Sequence, residues 1–155
     1  LPADALLGQE GEGWKQATAE LSLERSGRER FLSSHALLVE LIRVAGDVPP
    51  ENLKVIIGRL MSELWTLRLM SVSVAIKLAN GEDPALEAAI VKELGNGFEQ
   101  EMPRLIQATV ECDLSSQDPL PLLLAYLLQI SPSFSLRGGT REILRGIIAR
   151  GLGLR

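Results

Sequence analysis

Three groups of residues in this 155-residue chain have types and spacings that could do chemistry. The first is Glu24, with Arg25 beside it and Arg28 four positions on. Glu24 falls between Leu21 and Phe31 on what reads as the apolar stripe of a helix. A carboxylate held against apolar walls loses solvation, which raises its pKa toward the range useful for proton abstraction. An ion pair with Arg28 at the bundle edge is the alternative at this spacing. The second group is Gly138-Gly139-Thr140, followed by Glu142. Two glycines before a helix let a ligand approach the backbone, and free amides at that end favour an anion. A plain turn with Thr140 as N-cap, assisted by Glu142, accounts for the same residues. The third group is the C-terminal run of arginines, Arg137, Arg141, Arg145, Arg150 and Arg155. Their forks suit pyrophosphate, and a solvated helix end with favourable dipole interactions uses them equally well.

Other reactive types are scarce. One cysteine, Cys112, cannot form an internal disulfide, and one histidine, His35, cannot build a usual zinc site. His35 reads as a helix-face residue, Cys112 as a small buried hydrophobe, and Trp14 and Trp65 as core or rim anchors. With 16 Lys and Arg against 20 Asp and Glu, the net charge of -4 argues against general binding to nucleic acid or anionic membranes.

The elements that must position these groups are helical. Apolar residues are 46% of the chain and charged residues 23%, a globular balance, while aromatics at 4% leave the core to aliphatic packing. From Trp14 to about Ala45 no proline intervenes, and Ala17, Leu21, Phe31, Leu38 and Ile42 mark one face of a long helix. Gly46-Asp47-Val48-Pro49-Pro50 closes it. Leu53, Ile57, Leu60, Leu64, Leu67, Val74 and Leu78 then alternate by four and three, with Ser71 the one exception, as in a bundle seam. Asn80-Gly81 ends that helix, and Asp83-Pro84 opens a third reaching about Cys112 through Ile90, Leu94, Phe98, Leu105 and Ile106. Gly95, Gly97 and Pro103 are expected to weaken and bend it. Pro119–Ile130 forms a short apolar fourth segment, below the about 20 residues of a membrane span. A last helix runs from near Thr140 to about Leu152. The expected fold is all-α: an antiparallel four-helix-type bundle over residues 14–155 with an additional short C-terminal helix. Residues 1–13 read as a lead-in. The chain starts at Leu1 without a signal-peptide pattern, so a piece of a longer cytoplasmic protein is expected.

Two phrases carry a family resemblance. Leu1-Pro-Ala-Asp-Ala-Leu-Leu-Gly8 with Gly11-Glu-Gly-Trp14 resembles the exit from the middle β-domain of acyl-CoA dehydrogenases, and Ser22-Leu-Glu-Arg25 is similar to the Glu-Arg helix segment that follows it. Arg137-Gly-Gly-Thr-Arg-Glu-Ile-Leu-Arg-Gly-Ile-Ile-Ala-Arg-Gly-Leu-Gly-Leu154 resembles the C-terminal signature of that family, a longer and more specific match. The resemblance implies the C-terminal helical domain of an FAD-dependent enzyme that oxidises an acyl-CoA thioester to the trans-2-enoyl-CoA. In that family a carboxylate removes the α-proton while the β-hydrogen leaves as hydride to the flavin. One family position for the base precedes the Gly-Thr of the signature and is Gly138 here; the other, in the Glu-Arg pair, is Glu24. By the same matching Arg25 meets the CoA part of the substrate, Gly139 lies beside the thioester, and Thr140 and Glu142 lie near the FAD nucleotide.

The resemblance further implies an electron-transfer flavoprotein-type acceptor and a homodimer, a homotetramer or a heteromeric partner subunit. Two family phrases are missing. Ile42-Arg-Val-Ala-Gly46 stands where an "RxxFG" phrase is usual, and Gln107-Ala-Thr-Val-Glu-Cys112 stands where "QxxGGxGY" is usual. Both departures fall on contacts to a neighbouring subunit's FAD and suggest a divergent paralogue. The rival expectation is a non-catalytic assembly subunit of a heteromeric dehydrogenase, for which a buried carboxylate at Glu24 has no use.

Overall fold

The computed structural model describes residues 2 and 5–154, the side chain of Ser22 excepted. Leu1, Ala3 and Asp4 of the opening phrase and Arg155 of the arginine run lie outside the described residues. Within them the chain is all-helical, with no strand. Six α-helices follow one another: α1 (Gly13–Glu24), α2 (His35–Ala45), α3 (Glu51–Ala79), α4 (Ala85–Thr109), α5 (Pro119–Ile130) and α6 (Arg141–Gly151). Short 3-10 pieces at Arg28–Arg30 and Ser131–Leu136 link α1 to α2 and α5 to α6.

Helix α4 is the centre. It packs against α1, α3, α5, α6 and both 3-10 pieces, while α2 packs on α3 and α5. One apolar cluster joins Phe31, Leu38, Leu60, Phe98, Met102 and Leu124, drawing on α2, α3, α4 and α5. A smaller one joins Val74 to Ala88 and Val91 where α3 meets the start of α4. The four-three seam of α3 is present as read: Leu60, Leu67 and Val74 are buried. Ser71 interrupts it for a local reason, since its hydroxyl donates to the carbonyl of Ser26, just past the end of α1. Helix α5 spans Pro119–Ile130 as expected, with proline in its first turn, where no intrahelical N–H is needed. Together with the following 3-10 piece it is long and apolar enough to cross a bilayer by length and composition, unlike the shorter run read from the sequence. Leu120, Leu124, Leu127 and Phe134 are buried in the core, and that placement requires the same hydropathy.

Two expectations are corrected. The first helix is not continuous to Ala45: it stops at Glu24, and α2 starts at His35. Gly27 takes an extended conformation there, with ψ 152°. Arg30 Nε then reaches back to donate to the carbonyl of Glu24 at 2.9 Å, satisfying a helix-end acceptor. As a result Leu21, Glu24 and Phe31 do not share one helical stripe, and α1 keeps Trp14 at 83% exposure rather than anchoring a core with it.

Gly95, Gly97 and Pro103 lie within α4, which is one helix from Ala85 to Thr109. A Cβ on Gly95 would stand 2.4 Å from the Arg30 carbonyl, so this glycine admits the 28–31 turn against the helix. Pro103 has no N–H for the carbonyl of Glu99, and the buried Ser34 hydroxyl donates to that carbonyl instead, at 3.3 Å. The second correction concerns the buried face of α4: of the expected stripe Phe98 and Ile106 are buried, but Leu94 is half exposed, and the buried row is Ala88, Lys92, Gly95, Glu99, Met102 and Ile106. That row also repeats by four and three, and two of its members are charged.

Candidate functional site

Two segments that lack regular α-helix, residues 25–34 and 131–140, meet over the polar stretch of α4. The closest link between them is a hydrogen bond from Arg25 Nε to the carbonyl of Gly138, at 3.0 Å and across 113 residues of chain. Gly138 and Gly139 have φ of 68° and 111°, a left-handed backbone that glycine adopts without steric cost. A Cβ on Gly139 would lie 3.8 Å from an Arg25 terminal amino group, and one on Gly138 would lie 3.7 Å from both Arg30 Cζ and Lys92 Cε. Three cationic side chains therefore surround this turn.

The cations are held by different partners. Arg25 is 6% exposed, and burial pulls its guanidinium pKa down while the Glu24 charge opposes the shift. It stays protonated at neutral pH. Among the described residues nothing accepts from its two terminal amino groups, so they remain available to a carboxylate, phosphate or carbonyl. Arg30 donates from a terminal nitrogen to Glu24 Oε2 at 3.1 Å. Lys92 is fully buried; its ammonium donates to the side-chain carbonyl of Asn96 and, at 3.1 Å, to the backbone carbonyl of Phe134. Burial, followed by the charges of Arg30 and Arg137, pushes Lys92 down to about 8, against a smaller pull from Glu99 and Glu29.

Glu99 is fully buried too, and burial raises its pKa, opposed by hydrogen bonds from Ser33 and by the charges of Arg137 and Lys92. It accepts from Ser33 N at 2.7 Å and from Arg137 at 3.0 Å. Arg137 also lies over the Phe134 ring, 4.5 Å from its centroid. Asn96 Nδ2 and Arg137 Nε are buried with no hydrogen-bond partner. The row Lys92-Asn96-Glu99 thus ties the Ser33 backbone, the Phe134 backbone and Arg137 to one rigid helix.

The residues singled out from the sequence are distributed as follows. Arg25 and Gly139 come together. Glu24 is adjacent, but its side chain is 46% exposed and its partner is Arg30, not Arg28. The expectation of a desolvated carboxylate is therefore not met by the walls present here. Thr140 is the N-cap residue of α6. The backbone N–H of Glu142 and then the Thr140 hydroxyl lower the pKa of the exposed Glu142. The C-terminal arginines have separate roles. Arg141 and Arg145 bind Glu93 at 2.7 and 3.1 Å, fastening α6 to α4, while Arg137 belongs to the buried cluster. Cys112 is half-buried at the edge of the core and His35 is exposed at the start of α2.

Lys92, Asn96, Glu99 and Arg30 were not singled out. Their one sequence signal is that Lys92 and Glu99 occupy seam positions of a four-three repeat whose other members are small or apolar. No family model matches the chain, and no curated protein matches it in sequence.

Proposed function

We propose that this chain is the C-terminal helical domain, an antiparallel four-helix-type bundle plus α6, of an FAD-dependent acyl-CoA dehydrogenase. In this reading the enzyme oxidises an acyl-CoA thioester to the trans-2-enoyl-CoA and passes electrons to an electron-transfer flavoprotein-type acceptor. The observation that carries the reading is the 3.0 Å contact between Arg25 and Gly138, which joins the two family-like phrases at the Glu-Arg pair of one and the Gly-Gly turn of the other.

Glu24 takes the α-proton, leaving the electron pair to form the Cα–Cβ double bond as the β-hydrogen departs as hydride. Half exposed here, Glu24 acquires its apolar walls from other domains of the enzyme, which exclude water from the reacting atoms. Arg25 offers its terminal amino groups to the CoA portion, and the missing side chain of Gly139 admits the thioester. The groups at the start of α6 suit a nucleotide: the Glu142 carboxylate, which the Thr140 hydroxyl holds, can accept from a ribose hydroxyl, and the two glycines leave the backbone open to a phosphate. When bound, the flavin supplies the hydride acceptor.

The deciding experiment is Glu24→Gln in the enzyme that carries this chain, with flavin reduction by acyl-CoA followed by stopped flow. The expected loss is about 10²–10⁴-fold, the usual contribution of a positioned general base. Reduction at near-parental rate removes Glu24 from the role. The isolated chain is expected to hold no stoichiometric flavin, which its visible absorbance checks. A non-catalytic assembly subunit is the second reading, favoured by the exposure of Glu24 and its ion pair with Arg30. Unchanged turnover in a complex carrying the Glu24→Gln variant would support it.

A further inference from the structure

A groove lies between the 28–35 segment and α3, which are tied together where the Ser71 hydroxyl donates to the Ser26 carbonyl. Its volume is about 420 Å³, within the roughly 300–1,000 Å³ of small-molecule sites. Phe31 is buried at its floor and Leu64 half-buried, while Leu32, Met61 and Trp65 stand around it in contact with water. Met61 keeps 43% exposure and Trp65 56%. Bulky apolar side chains lining a concavity favour an apolar occupant over water. The charge of the groove departs from that of the chain. Acidic residues outnumber basic ones by 20 to 16 overall, yet Arg28, Arg68 and His35 line the groove and no Asp or Glu does. Arg43, Arg59, Arg141 and Arg145 each hold a carboxylate. Arg28 and Arg68, both exposed, make no hydrogen bond or ion pair among the described residues.

We propose that this groove binds a flat aromatic carboxylate, its head held between Arg28 and Arg68 and its ring body laid among Phe31, Leu32, Met61 and Trp65. A guanidinium fork matches a carboxylate with two parallel hydrogen bonds, and two such forks face the groove from its two sides. Arg68 lies over the Trp65 ring, 5.0 Å from its centroid, so a head taken by that fork stands directly beside an apolar wall. The ligand therefore carries its charge on the ring body or one carbon away from it. Phe31 and Trp65 offer ring surfaces and Met61 a polarizable sulfur, contacts that suit an aromatic body. An acyl-CoA thioester, whose anionic groups lie a long arm away from its acyl chain, does not have this shape. No residue of the groove belongs to the Arg25–Gly138 cluster, so the proposal stands apart from the flavoenzyme reading.

Titration of the chain with 2-naphthoate, followed by two-dimensional 1H–15N NMR of the two indole N–H groups, tests it. The Trp65 resonance is expected to move saturably, and that of Trp14, outside the groove, to stay in place. Arg28→Gln and Arg68→Gln are each expected to weaken binding about tenfold, the loss of one charge-assisted contact. Arg104→Gln removes an exposed cation outside the groove and is expected to leave the affinity unchanged. The neutral analogue 2-naphthylmethanol is expected to bind about tenfold more weakly than the carboxylate or less tightly still. Met61→Glu is expected to abolish binding with unchanged helical circular dichroism. No saturable shift, equal movement of both indoles, or an affinity indifferent to both arginine substitutions overturns the proposal. Dodecanoate binding more tightly than 2-naphthoate would overturn the aromatic assignment and give the groove to a long-chain amphiphile.

Discussion

Replacing Lys92 with methionine isolates the electrostatic cost of the buried cluster. The ammonium is fully buried, and its folded-state pKa of about 8 lies below the ordinary 10.5. Below pH 8 both folded and unfolded chains carry the proton, so the full penalty for burying the charge is present. Between about pH 8 and 10.5 the unfolded chain keeps the proton and the folded chain has lost it. Stability contributed by this site therefore rises with pH across that window, at up to 1.36 kcal/mol per pH unit. The accumulated difference between wild type and Lys92→Met is about 3 kcal/mol. Methionine has no proton to lose. All other side chains are common to both proteins, so their contributions cancel in the difference. Urea unfolding at pH 7, 8, 9 and 10 provides the assay, with the wild-type-minus-variant stability difference plotted against pH. A flat difference, within about 0.5 kcal/mol from pH 7 to 10, would refute the burial of a charged Lys92 against Phe134 and Asn96.

Two further substitutions test how α4 holds the irregular segments. Gly95→Ala forces a Cβ to within 2.4 Å of the Arg30 carbonyl, so the 28–31 turn must lift from the helix; a loss of about 1–3 kcal/mol in chemical denaturation is expected, although alanine is the better helix former. Ser34→Ala leaves the Glu99 carbonyl without a donor and should cost about 1–3 kcal/mol, whereas in a Pro103→Ala background the restored helical N–H takes that carbonyl and the cost should fall below about 1 kcal/mol. Equal costs in the two backgrounds would show that Ser34 acts otherwise.

Where local periodicity decides structure, the sequence was readable. The four-three pattern from Leu53 to Leu78 falls inside Glu51–Ala79, and the proline-bounded segment at 119–130 coincides with α5. The break between α1 and α2 was not readable. It contains no proline, and the apolar spacing continues through it. What stops the helix is the reach of Arg30 to the Glu24 carbonyl together with the fit of the turn against Gly95, contacts made only in the folded chain. The buried face of α4 was legible only at Phe98 and Ile106, for a related reason. Charged residues ordinarily mark the solvent side, and here Lys92 and Glu99 are inside because backbone groups of other segments and Arg137 satisfy them. The pairing of Arg25 with Gly138 was reachable from the sequence only through the family-like phrases, since nothing local ties residues so far apart.

The polar row on α4 also bears on how precisely a site could be held here. Arg25 and the Gly138–Gly139 turn both lie outside α-helix, and a site on such segments is only as rigid as what fastens them. Each is fastened to the same helix by buried polar contacts: Ser33 N and Ser34 Oγ to Glu99 on one side, the Phe134 carbonyl to Lys92 and Arg137 to Glu99 on the other. An apolar row would have filled the same volume without specifying where along α4 either backbone must sit, because dispersion contacts tolerate sliding and directional hydrogen bonds do not. The desolvation cost of Lys92 and Glu99 is thus the counterpart of a fixed distance between two segments that the chain itself separates by 113 residues.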